Sequence, residues 1–278
     1  MDAGLRIGCS SWTSDAWWGR IYPKEIRPGD RLALYSKVYD TVEVDSSYYR
    51  DPGSFLLHRW RTVTPENFVF TLKFPRDLMD IRKPLDTEKI HTFLKNVEAL
   101  GPKLGALLLQ FPPWVRPGKA TKYLDSLLEI LDPRFRYSIE LRSAEWFSGS
   151  PWEDLRKRLS DRQVALAWSY LTYVEIPPEL TSDFVYLRFI GDHSSIPAET
   201  HGEIRQDRTQ EMRQWARRLQ EVEDRTHARY VYFNNHFQGF APESVNLFRK
   251  ELGLPSLRYD LAMGPAPRSE GTLATKGA

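Results

Sequence analysis

Short runs rich in β-branched, leucine and aromatic residues recur along almost the whole chain, and they limit its fold more strongly than any other feature. Each run has the length of a β-strand and is bounded by turn-forming residues. Eight runs have this character: 5–9, 41–45, 67–73, 104–110, 136–142, 163–168, 184–190 and 229–234. The sequence therefore predicts eight strands.

Most of the segments between these runs carry apolar residues at the spacing of an amphipathic helix. Asp86, a residue type that caps helix N-termini, precedes the clearest case. Apolar side chains follow it at helical intervals: Ile90, Phe93, Leu94 and Val97. The same pattern predicts helices within 118–131, 151–160, 206–223 and 242–252. Two prolines within 169–183 predict that the sixth crossover has no long helix.

Strands that alternate with helices form parallel sheets, and eight such units in about 260 residues correspond to a (β/α)8 barrel of the TIM type. An open, doubly wound sheet is the competing fold. Its Gly-x-Gly-x-x-Gly turn is missing after the first run, where Gly8-Cys-Ser-Ser-Trp12 stands. We therefore predict a single α/β domain over residues 1–261. The remaining segment, 262–278, has no apolar period and is predicted to be a disordered tail.

The charge balance and the cysteine content exclude several classes of protein. Lys and Arg number 39 against 37 Asp and Glu, so the net charge of +2 indicates no bulk attraction to nucleic acid or membranes. The single cysteine, Cys9, cannot form an intramolecular disulfide, which is typical of a reducing compartment. The N-terminal residues lack the apolar stretch of a signal peptide, and no run is long enough to span a membrane. We therefore expect a cytoplasmic protein.

Side chains alternate between the two faces of a strand, so in a barrel one parity contacts the helices and the other points toward the barrel axis. The apolar parity is expected to face the helices: Val42, Val44, Phe70, Leu72, Leu107, Leu109, Ile139, Leu141, Leu187, Phe189, Val231 and Phe233. The opposite parity carries polar residues, most of them near the C-terminal ends of the strands: Glu43, Asp45, Lys73, Gln110, Glu140, Arg142, Arg188 and Asn234. Cations and carboxylates are therefore predicted to converge on one mouth of the barrel.

Convergent charges at this end of a barrel indicate a functional site, because TIM-type barrels carry their active sites at the C-terminal mouth. Burying unpaired charges is costly, so these groups must either neutralise one another or bind a ligand. A salt-bridge network that only fills the barrel is the alternative interpretation. We favour a site, because apolar residues would fill the axis without the cost of desolvation.

The predicted roles follow from the chemistry of the side chains. Proton transfer or other catalytic steps are assigned to four residues: Glu140, Lys73, Glu43 and His236. Ligand contacts are assigned to a second set: Arg142, Arg188, Asn234, Asn235, Gln110, Asp45, Tyr48 and Trp12. If Arg188 clamps an anion, its replacement by Ala should abolish ligand binding more than it changes folding. Trp114 is a further candidate ligand contact, whereas packing roles are expected for three other tryptophans: Trp17, Trp18 and Trp146.

Six motifs occur in a fixed order along the chain. They are Thr-Val-Glu-Val-Asp-Ser-Ser-Tyr-Tyr (41–49), Leu-Lys-Phe-Pro-Arg (72–76), Leu-Leu-Leu-Gln-Phe-Pro-Pro (107–113), Ile-Glu-Leu-Arg with a following Trp (139–146), Tyr-Leu-Arg-Phe-x-Gly (186–191) and Val-Tyr-Phe-Asn-Asn-His (231–236). In residue sequence and in order, these motifs resemble those of the domain of unknown function 72 family, the YecE-like proteins. The resemblance implies a TIM-type barrel, but it implies no reaction, since the family has no established activity.

The chain departs from the pattern of this family at two positions. Asp45 stands where the family has Asn, which adds an anion to the mouth. Residues 77–81 lack the family's His, so a His-based proton relay on this loop is not expected. The family also resembles barrel nucleases of the endonuclease IV type, but an analogy of fold carries no function by itself.

The residues support two classes of function. The first is an enzyme that acts on a phosphorylated or hydroxyl-rich ligand, phosphodiesters and nucleic acid included, with cations that bind oxyanions and a glutamate that moves a proton. The second is a non-catalytic protein that binds nucleic acid or a small anion at the same mouth. Arg156-Lys-Arg158 and Arg217-Arg218 are interleaved with acidic residues, which is typical of a solvated helix surface.

No cofactor is predicted, and the oligomeric state is left open. Five residues near the mouth could bind a metal, too few for a multi-zinc centre: Glu43, Asp45, Glu140, His193 and His236. A single Mg-type cation held by Asp45 and Glu140 is retained as an alternative. Glycoside hydrolysis is disfavoured, because nearby cations would keep both glutamates ionised. A Schiff base at Lys73 is disfavoured, because nearby carboxylates would keep its amine charged.

Overall fold

The computed structural model describes residues 4–192 and 194–260, so His193, Leu261 and the tail predicted at 262–278 lie outside the described residues. Nine β-strands occur in this part of the chain: β1 (Leu5–Cys9), β2 (Thr41–Val44), β3 (Val69–Lys73), β4 (Leu104–Gln110), β5 (Tyr137–Glu140), β6 (Ala165–Leu166), β7 (Trp168–Leu171), β8 (Phe184–Gly191) and β9 (Ala228–Phe233). They correspond to the eight predicted runs, except that the sixth is divided at Ala167 and continues beyond its predicted end at residue 168.

Eight α-helices occur in the described part of the chain: α1 (Arg31–Val38), α2 (Gly53–Val63), α3 (Thr87–Val97), α4 (Lys119–Ile130), α5 (Gly149–Asp161), α6 (Thr209–Glu221), α7 (Asn235–Gln238) and α8 (Ala241–Glu251). α3 begins after Asp86, whose side chain accepts a hydrogen bond from the backbone N–H of Lys89. No helix occurs between Leu171 and Phe184, all of which are described, so the sixth crossover is irregular as its prolines predict. None of the described helices is long and apolar enough to cross a membrane.

All the strands lie parallel in one sheet, in the order β6-β5-β4-β3-β2-β1-β9-β8-β7. The two ends of this order are neighbouring pieces of one stretch of chain, because β6 pairs with β5 and β7 pairs with β8. Between them, the backbone N–H of Ala167 donates to the carbonyl of Ile139 at 2.8 Å. The sheet therefore forms a nearly closed barrel with helices around it, the α/β TIM-type architecture that the sequence predicts.

Two separate apolar clusters show how side chains alternate along the strands. Every residue predicted to face the helices belongs to the larger cluster, which packs between the sheet and the helices. The smaller cluster has the opposite parity and occupies the barrel interior: Ala106, Leu108, Ala165, Ala167, Phe184, Tyr186, Ala228, Tyr230 and Tyr232. The N-terminal and middle parts of the axis are therefore filled by small and aromatic side chains, and the charged residues come later along the same strands.

Candidate functional site

Six ionised residues on inward positions lie together toward the C-terminal end of the barrel, and we call them the mouth cluster. Each makes an ion pair with another member: Glu43, Asp45, Lys73, Glu140, Arg142 and Arg188. The floor of the cluster consists of Glu43, Glu140 and Arg188, whose side chains are at most 1% exposed. The other three members form its upper layer, with side-chain exposures of 8% for Lys73, 14% for Arg142 and 29% for Asp45. Only the upper layer can therefore reach a ligand without rearrangement.

Arg188 joins the floor by bridging two carboxylates from strands that are not neighbours. Its Nε and Nη2 donate to the two carboxylate oxygens of Glu43, each at 2.8 Å. Its Nη1 donates to Glu140 at 2.5 Å and to the side-chain oxygen of Gln110 at 3.3 Å. Arg188 is buried, and its hydrogen bonds go to protein groups. It therefore lies beneath the part of the mouth that a ligand can reach. The anion-clamp role predicted for Arg188 therefore fits the upper layer better.

Glu140 and Glu43 accept further hydrogen bonds from uncharged residues. Glu140 accepts one from the hydroxyl of Ser169 in β7, and Glu43 accepts one from the hydroxyl of Tyr186 at 2.8 Å. Neither Ser169 nor Tyr186 is among the site residues predicted from the sequence. Tyr186 has the same inward parity as Arg188, so extending the alternation by two residues would have found it. Ser169 lies beyond the predicted end of the sixth run, and no local signal marks it.

Lys73 and Asp45 form an ion pair in the upper layer, with 2.7 Å between Nζ and Oδ1. The Lys73 ammonium also lies 5.8 Å from the ring centroid of Tyr48, whose side chain is half-buried. The side chain of Gln110 lies beside the hydroxyl of Tyr48. The structure thus brings four predicted site residues into one connected group at the mouth.

Arg142 is the upper-layer cation with the greatest exposure. Its Nε donates to Glu140 Oε1 at 2.6 Å, which fixes the position of the guanidinium. Its side chain also contacts the hydroxyl of Tyr173, a residue that is 54% exposed and follows β7. The two Nη groups form the opposite edge of the guanidinium from the Nε–carboxylate contact. Carboxylate and phosphate groups can bind this edge with two parallel hydrogen bonds.

Burial and ion pairing act in opposite directions on the pKa values of the three carboxyl groups. Burial alone would raise the pKa of Glu43, but Arg188 beside it holds that pKa at about 2. Burial also opposes ionisation of Glu140, yet Arg142 and Arg188 hold its pKa well below the ordinary range. Asp45 differs, because burial raises its pKa more than its lysine partner lowers it. The two floor carboxylates are therefore held as anions, whereas Asp45 takes up a proton more readily than an ordinary aspartate.

Trp12 and Asn235, both predicted to contact ligand, are used in packing. Trp12 is 7% exposed and meets Trp60 of α2 edge-on, with ring centroids 5.1 Å apart. The side-chain oxygen of Asn235 accepts hydrogen bonds from the Trp17 indole N–H at 3.3 Å and from the Ala241 backbone N–H at 2.9 Å. These contacts join the loops after β1 and β9 to the helix layer, so neither side chain belongs to the mouth cluster.

Asn234 and His236 follow β9 and are half-buried on the same face of the barrel. The Asn234 side chain caps the short helix α7 by accepting a hydrogen bond from the His236 backbone N–H at 3.0 Å. Nδ1 of His236 lies 2.9 Å from the carbonyl oxygen of Ile196, and its ring centroid is 4.5 Å from that of His201. The structure thus joins His236 to the loop after β8.

Of the four other tryptophans with predicted roles, two are buried and two are exposed. Trp17 and Trp146 are buried, at 1% and 2% exposed, as their predicted packing role requires. Trp18, also predicted to pack, is instead 43% exposed, with the Arg31 guanidinium 5.1 Å above its ring. Trp114 is likewise 43% exposed and remains accessible near the mouth.

Within residues 4–192 and 194–260, no group of three or more His, Cys, Asp or Glu side chains is arranged to hold a metal ion. The two carboxylates considered for a Mg-type cation, Asp45 and Glu140, each contact a basic side chain. His193, the other residue considered, lies outside the described residues.

Comparison with known proteins identifies a family that matches most of the chain, and the alignment with the first relative spans little more than half of either protein. The family described as "Protein of unknown function DUF72" matches residues 6–269. The UPF0759 protein YecE of Escherichia coli (strain K12) is 28% identical over 163 residues, which cover 58% of this chain and 57% of that protein. The UPF0759 protein YunF of Bacillus subtilis (strain 168) is 24% identical over 293 aligned residues, covering 95% of this chain and 98% of that protein.

Solved structures of two DUF72 family proteins share the fold. The Thermotoga maritima protein superposes with a TM-score of 0.74 at 23% identity, covering 90% of this chain and 99% of that chain. The Enterococcus faecalis protein superposes with a TM-score of 0.74 at 22% identity, covering 90% of this chain and 96% of that chain. At these identities the likeness concerns the fold alone.

Proposed function

The chain belongs to the DUF72 family, and we propose that it is an enzyme whose substrate, a small phosphorylated or hydroxyl-rich molecule, binds at the C-terminal mouth of the barrel. One observation carries this proposal. The floor of the mouth cluster is buried and fully paired, whereas Arg142 and Lys73 stand on it with part of their surface exposed. Donors held in place before the ligand arrives bind an oxyanion at a lower entropic cost.

The upper layer offers the groups that a phosphoryl ligand requires. The Nη edge of Arg142 can bind two phosphate oxygens, and the Lys73 ammonium can bind a third. Gln110 and the hydroxyl of Tyr48 lie beside them and can orient substrate hydroxyls. The groups converge from β3 and β4 and from the segments after β2 and β5, which is the usual construction of a barrel active site.

The ionisation states divide the mouth cluster into positioning and reacting groups. Glu43 and Glu140 are held as anions by the arginines, so they position those arginines and are poor general acids. Asp45 has a raised pKa and lies 2.7 Å from the Lys73 ammonium. We assign proton exchange with the substrate to this Asp45–Lys73 pair, in place of the two glutamates that the sequence analysis selected.

Removing the guanidinium edge should weaken the binding of phosphorylated ligands. We expect Arg142→Ala to lower the affinity for a bound sugar phosphate or nucleotide by about tenfold to a hundredfold, which corresponds to about 1.4–2.8 kcal/mol. Arg142→Lys keeps a cation beside Glu140 but loses the bidentate contact with phosphate, so the variant should fold normally and still bind the ligand weakly. The measurement is calorimetric titration of a panel of sugar phosphates and nucleotides.

Arg217→Ala is the matched control, because Arg217 is an exposed arginine of α6. Its affinities should equal those of the unmodified chain. If Arg142→Ala and Arg142→Lys both bind the panel as tightly as the control, the mouth is not the binding site.

A non-catalytic anion-binding protein is the second candidate, favoured by the low pKa values of two carboxylates that could otherwise transfer protons. Phosphorus NMR of the ligands that bind separates the two functions. An enzyme should convert at least one phosphorylated ligand to a product with a new resonance, and Lys73→Met should stop this conversion. Bound ligands that stay unchanged over long incubation would support the non-catalytic protein.

A further inference from the structure

A cavity lies beside the mouth cluster on the same face of the barrel, and we call it the side cavity. Its volume is about 450 Å³, and it is formed by the loops that follow β2, β3 and β4. Its lining includes Tyr48, Arg76, Asp80, Arg82, Lys83 and Trp114. Three of these six residues are cationic and two are aromatic, a composition that suits an anionic ligand with a flat or ring-shaped part.

The carboxylates of the side cavity are already paired, Asp80 with Arg82 and Asp77 with a lysine outside the lining, so they leave part of the cavity's positive charge uncompensated. Arg82 donates from Nε and Nη2 to the two oxygens of Asp80, at 2.7 and 2.8 Å. Asp77, which also lines the cavity, pairs with a lysine of α3. Arg76 and Lys83 make no ion pair with a carboxylate in the described part of the chain. Two cations thus remain to bind an anion.

The walls of the side cavity are held by contacts to buried parts of the protein. The hydroxyl of Tyr123 in α4 donates to the carbonyl of Leu78 at 2.7 Å, which fixes the loop after β3. The indole N–H of Trp146 donates to the carbonyl of Val115 at 2.9 Å, which fixes the loop after β4. On the open side, the Arg82 guanidinium lies 4.7 Å from the ring centroid of Trp114. The cavity is therefore a preformed feature of the barrel face.

Tyr48 connects the side cavity to the mouth cluster. Its side chain lines the cavity and lies beside that of Gln110, while its ring centroid lies 5.8 Å from the Lys73 ammonium. Burial raises the pKa of Tyr48, and both Arg142 and Arg76 are close enough to act against that effect. Tyr48 therefore lies near a cation of the mouth, Lys73, and lines the same cavity as Arg76. A ligand that extends from the mouth across Tyr48 reaches Arg76.

We propose that the side cavity binds a second phosphoryl group of the substrate, so that the substrate is an elongated molecule with two phosphoryl groups. This inference rests on the proposed function of the mouth. The first phosphoryl group contacts Arg142 and Lys73, and the second contacts Arg76 and Lys83. The part between them packs on Tyr48. A bisphosphorylated sugar and a nucleotide with two separate phosphates share this chemistry.

The test compares ligands that differ only in the second phosphoryl group. The probes are fructose 6-phosphate with fructose 1,6-bisphosphate, and AMP with adenosine 3′,5′-bisphosphate. In the unmodified chain, we expect at least one bisphosphate to bind about tenfold more tightly than its monophosphate, and this advantage should shrink with added salt because the second cation pair is exposed. The sugar pair and the nucleotide pair together identify which kind of spacer the site accepts.

The decisive variant is the double substitution Arg76→Ala and Lys83→Ala. It should remove the advantage of the bisphosphate and leave the affinity for the monophosphate unchanged. The matched control, Arg217→Ala with Lys250→Ala, removes the same charge from exposed positions of α6 and α8 and should keep the advantage.

The outcomes separate this inference from the function of the mouth. If Arg142→Ala weakens both ligands of a pair and the double variant keeps the bisphosphate advantage, the side cavity plays no part and only the mouth site stands. If the double variant loses the advantage but Arg142→Ala changes neither affinity, the mouth proposal fails and the anion site is the side cavity alone. Equal affinity for monophosphate and bisphosphate in the unmodified chain overturns the inference directly.

Discussion

Arg188 lies in β8 and donates hydrogen bonds to carboxylates of β2 and β5, two strands that do not neighbour its own. Its side chain is 1% exposed, so solvent cannot replace these hydrogen bonds. A buried arginine of this kind stabilises the fold only while its partners are present. The three floor residues therefore form one unit, in which removing any member leaves buried polar groups without their hydrogen-bond partners. The residues to which we assign ligand contact and proton exchange lie one layer above this unit.

Replacing Arg188 by Met should destabilise the protein more than it affects ligand chemistry. Met keeps most of the volume but leaves Glu43 and Glu140 without their shared cation, and we expect a loss of about 3–5 kcal/mol in the free energy of unfolding. This expectation reverses the one drawn from the sequence, in which Arg188 contacts the ligand. Urea denaturation measures the change.

A compensating variant distinguishes charge from shape at the same place. Adding Glu43→Gln and Glu140→Gln to Arg188→Met removes both anions that shared the lost cation and should restore part of the lost stability. A single variant that unfolds within about 1 kcal/mol of the unmodified chain, below the usual cost of a broken buried pair, would show that the floor is not an energetic unit.

At the scale of single elements, a strained residue between α5 and β6 lets the chain enter the strand that closes the barrel. α5 ends at Asp161, and two residues later Gln163 adopts φ of 53°, the left-handed region that favours glycine. Its backbone N–H donates to the carbonyl of Ser160 at 3.2 Å. The chain then turns directly into β6 and reaches Ala167, where the strand changes its partner from β5 to β8. The left-handed residue ends the helix so that the strand can close the barrel.

Glycine at position 163 should stabilise the protein. A left-handed conformation costs a residue with a side chain roughly 1–2 kcal/mol, and Gly avoids this cost. Gly also has more conformational freedom in the unfolded chain, which offsets part of the benefit. We therefore expect Gln163→Gly to raise the free energy of unfolding by about 0.5–1 kcal/mol. Thermal unfolding of the variant provides the measurement. Gln163→Ala is the control, because it removes the side-chain contact with Ser160 but keeps the strain. A higher melting temperature in the Ala variant than in the Gly variant would contradict this explanation.

At the scale of the whole molecule, the mouth cluster links strands around the ring of the barrel. Its members come from β2, β3, β5 and β8 or from the residues directly after them, and the Arg188 contacts span sequence separations of 145 and 48 residues. Such contacts form only when the barrel closes. The ionisation of the cluster is therefore coupled to global folding, and the dependence of stability on pH reports on it.

Stability should fall as the pH decreases from about 4.5 toward 2. The pKa of Glu43 is about 2 in the folded protein against an ordinary value of 4.5, so this carboxylate stabilises the fold above pH 4.5 and loses that contribution as it becomes protonated. The difference corresponds to roughly 3 kcal/mol. Glu140 acts with the same sign, whereas the raised pKa of Asp45 acts with the opposite sign.

Urea midpoints at pH 5 and pH 3, compared between the unmodified chain and Glu43→Gln, measure this contribution. The variant should be less stable at pH 5 and should lose less stability between the two pH values. Equal losses in both proteins would mean that exposed carboxylates, and not the floor of the barrel, control acid unfolding.

The sequence by itself determined the strands, the parallel order implied by the helices between them, and the division of each strand into an apolar outer and a polar inner parity. These features depend on neighbours two to four residues apart, so periodicity is enough to predict them. The eight runs and the irregular sixth crossover are confirmed. The convergence of Glu43, Glu140 and Arg188 follows from the same alternation.

The tertiary structure alone decided which of these residues support the site and which can meet a ligand. Strand stagger in the closed barrel sets the depth of each inward side chain, which placed Arg188 below Arg142 although both have the same parity and charge. Loop packing buried Trp12 against Trp60 and left Trp114 exposed beside Arg82. Depth and loop contacts depend on residues far apart in the chain, and no local pattern encodes them.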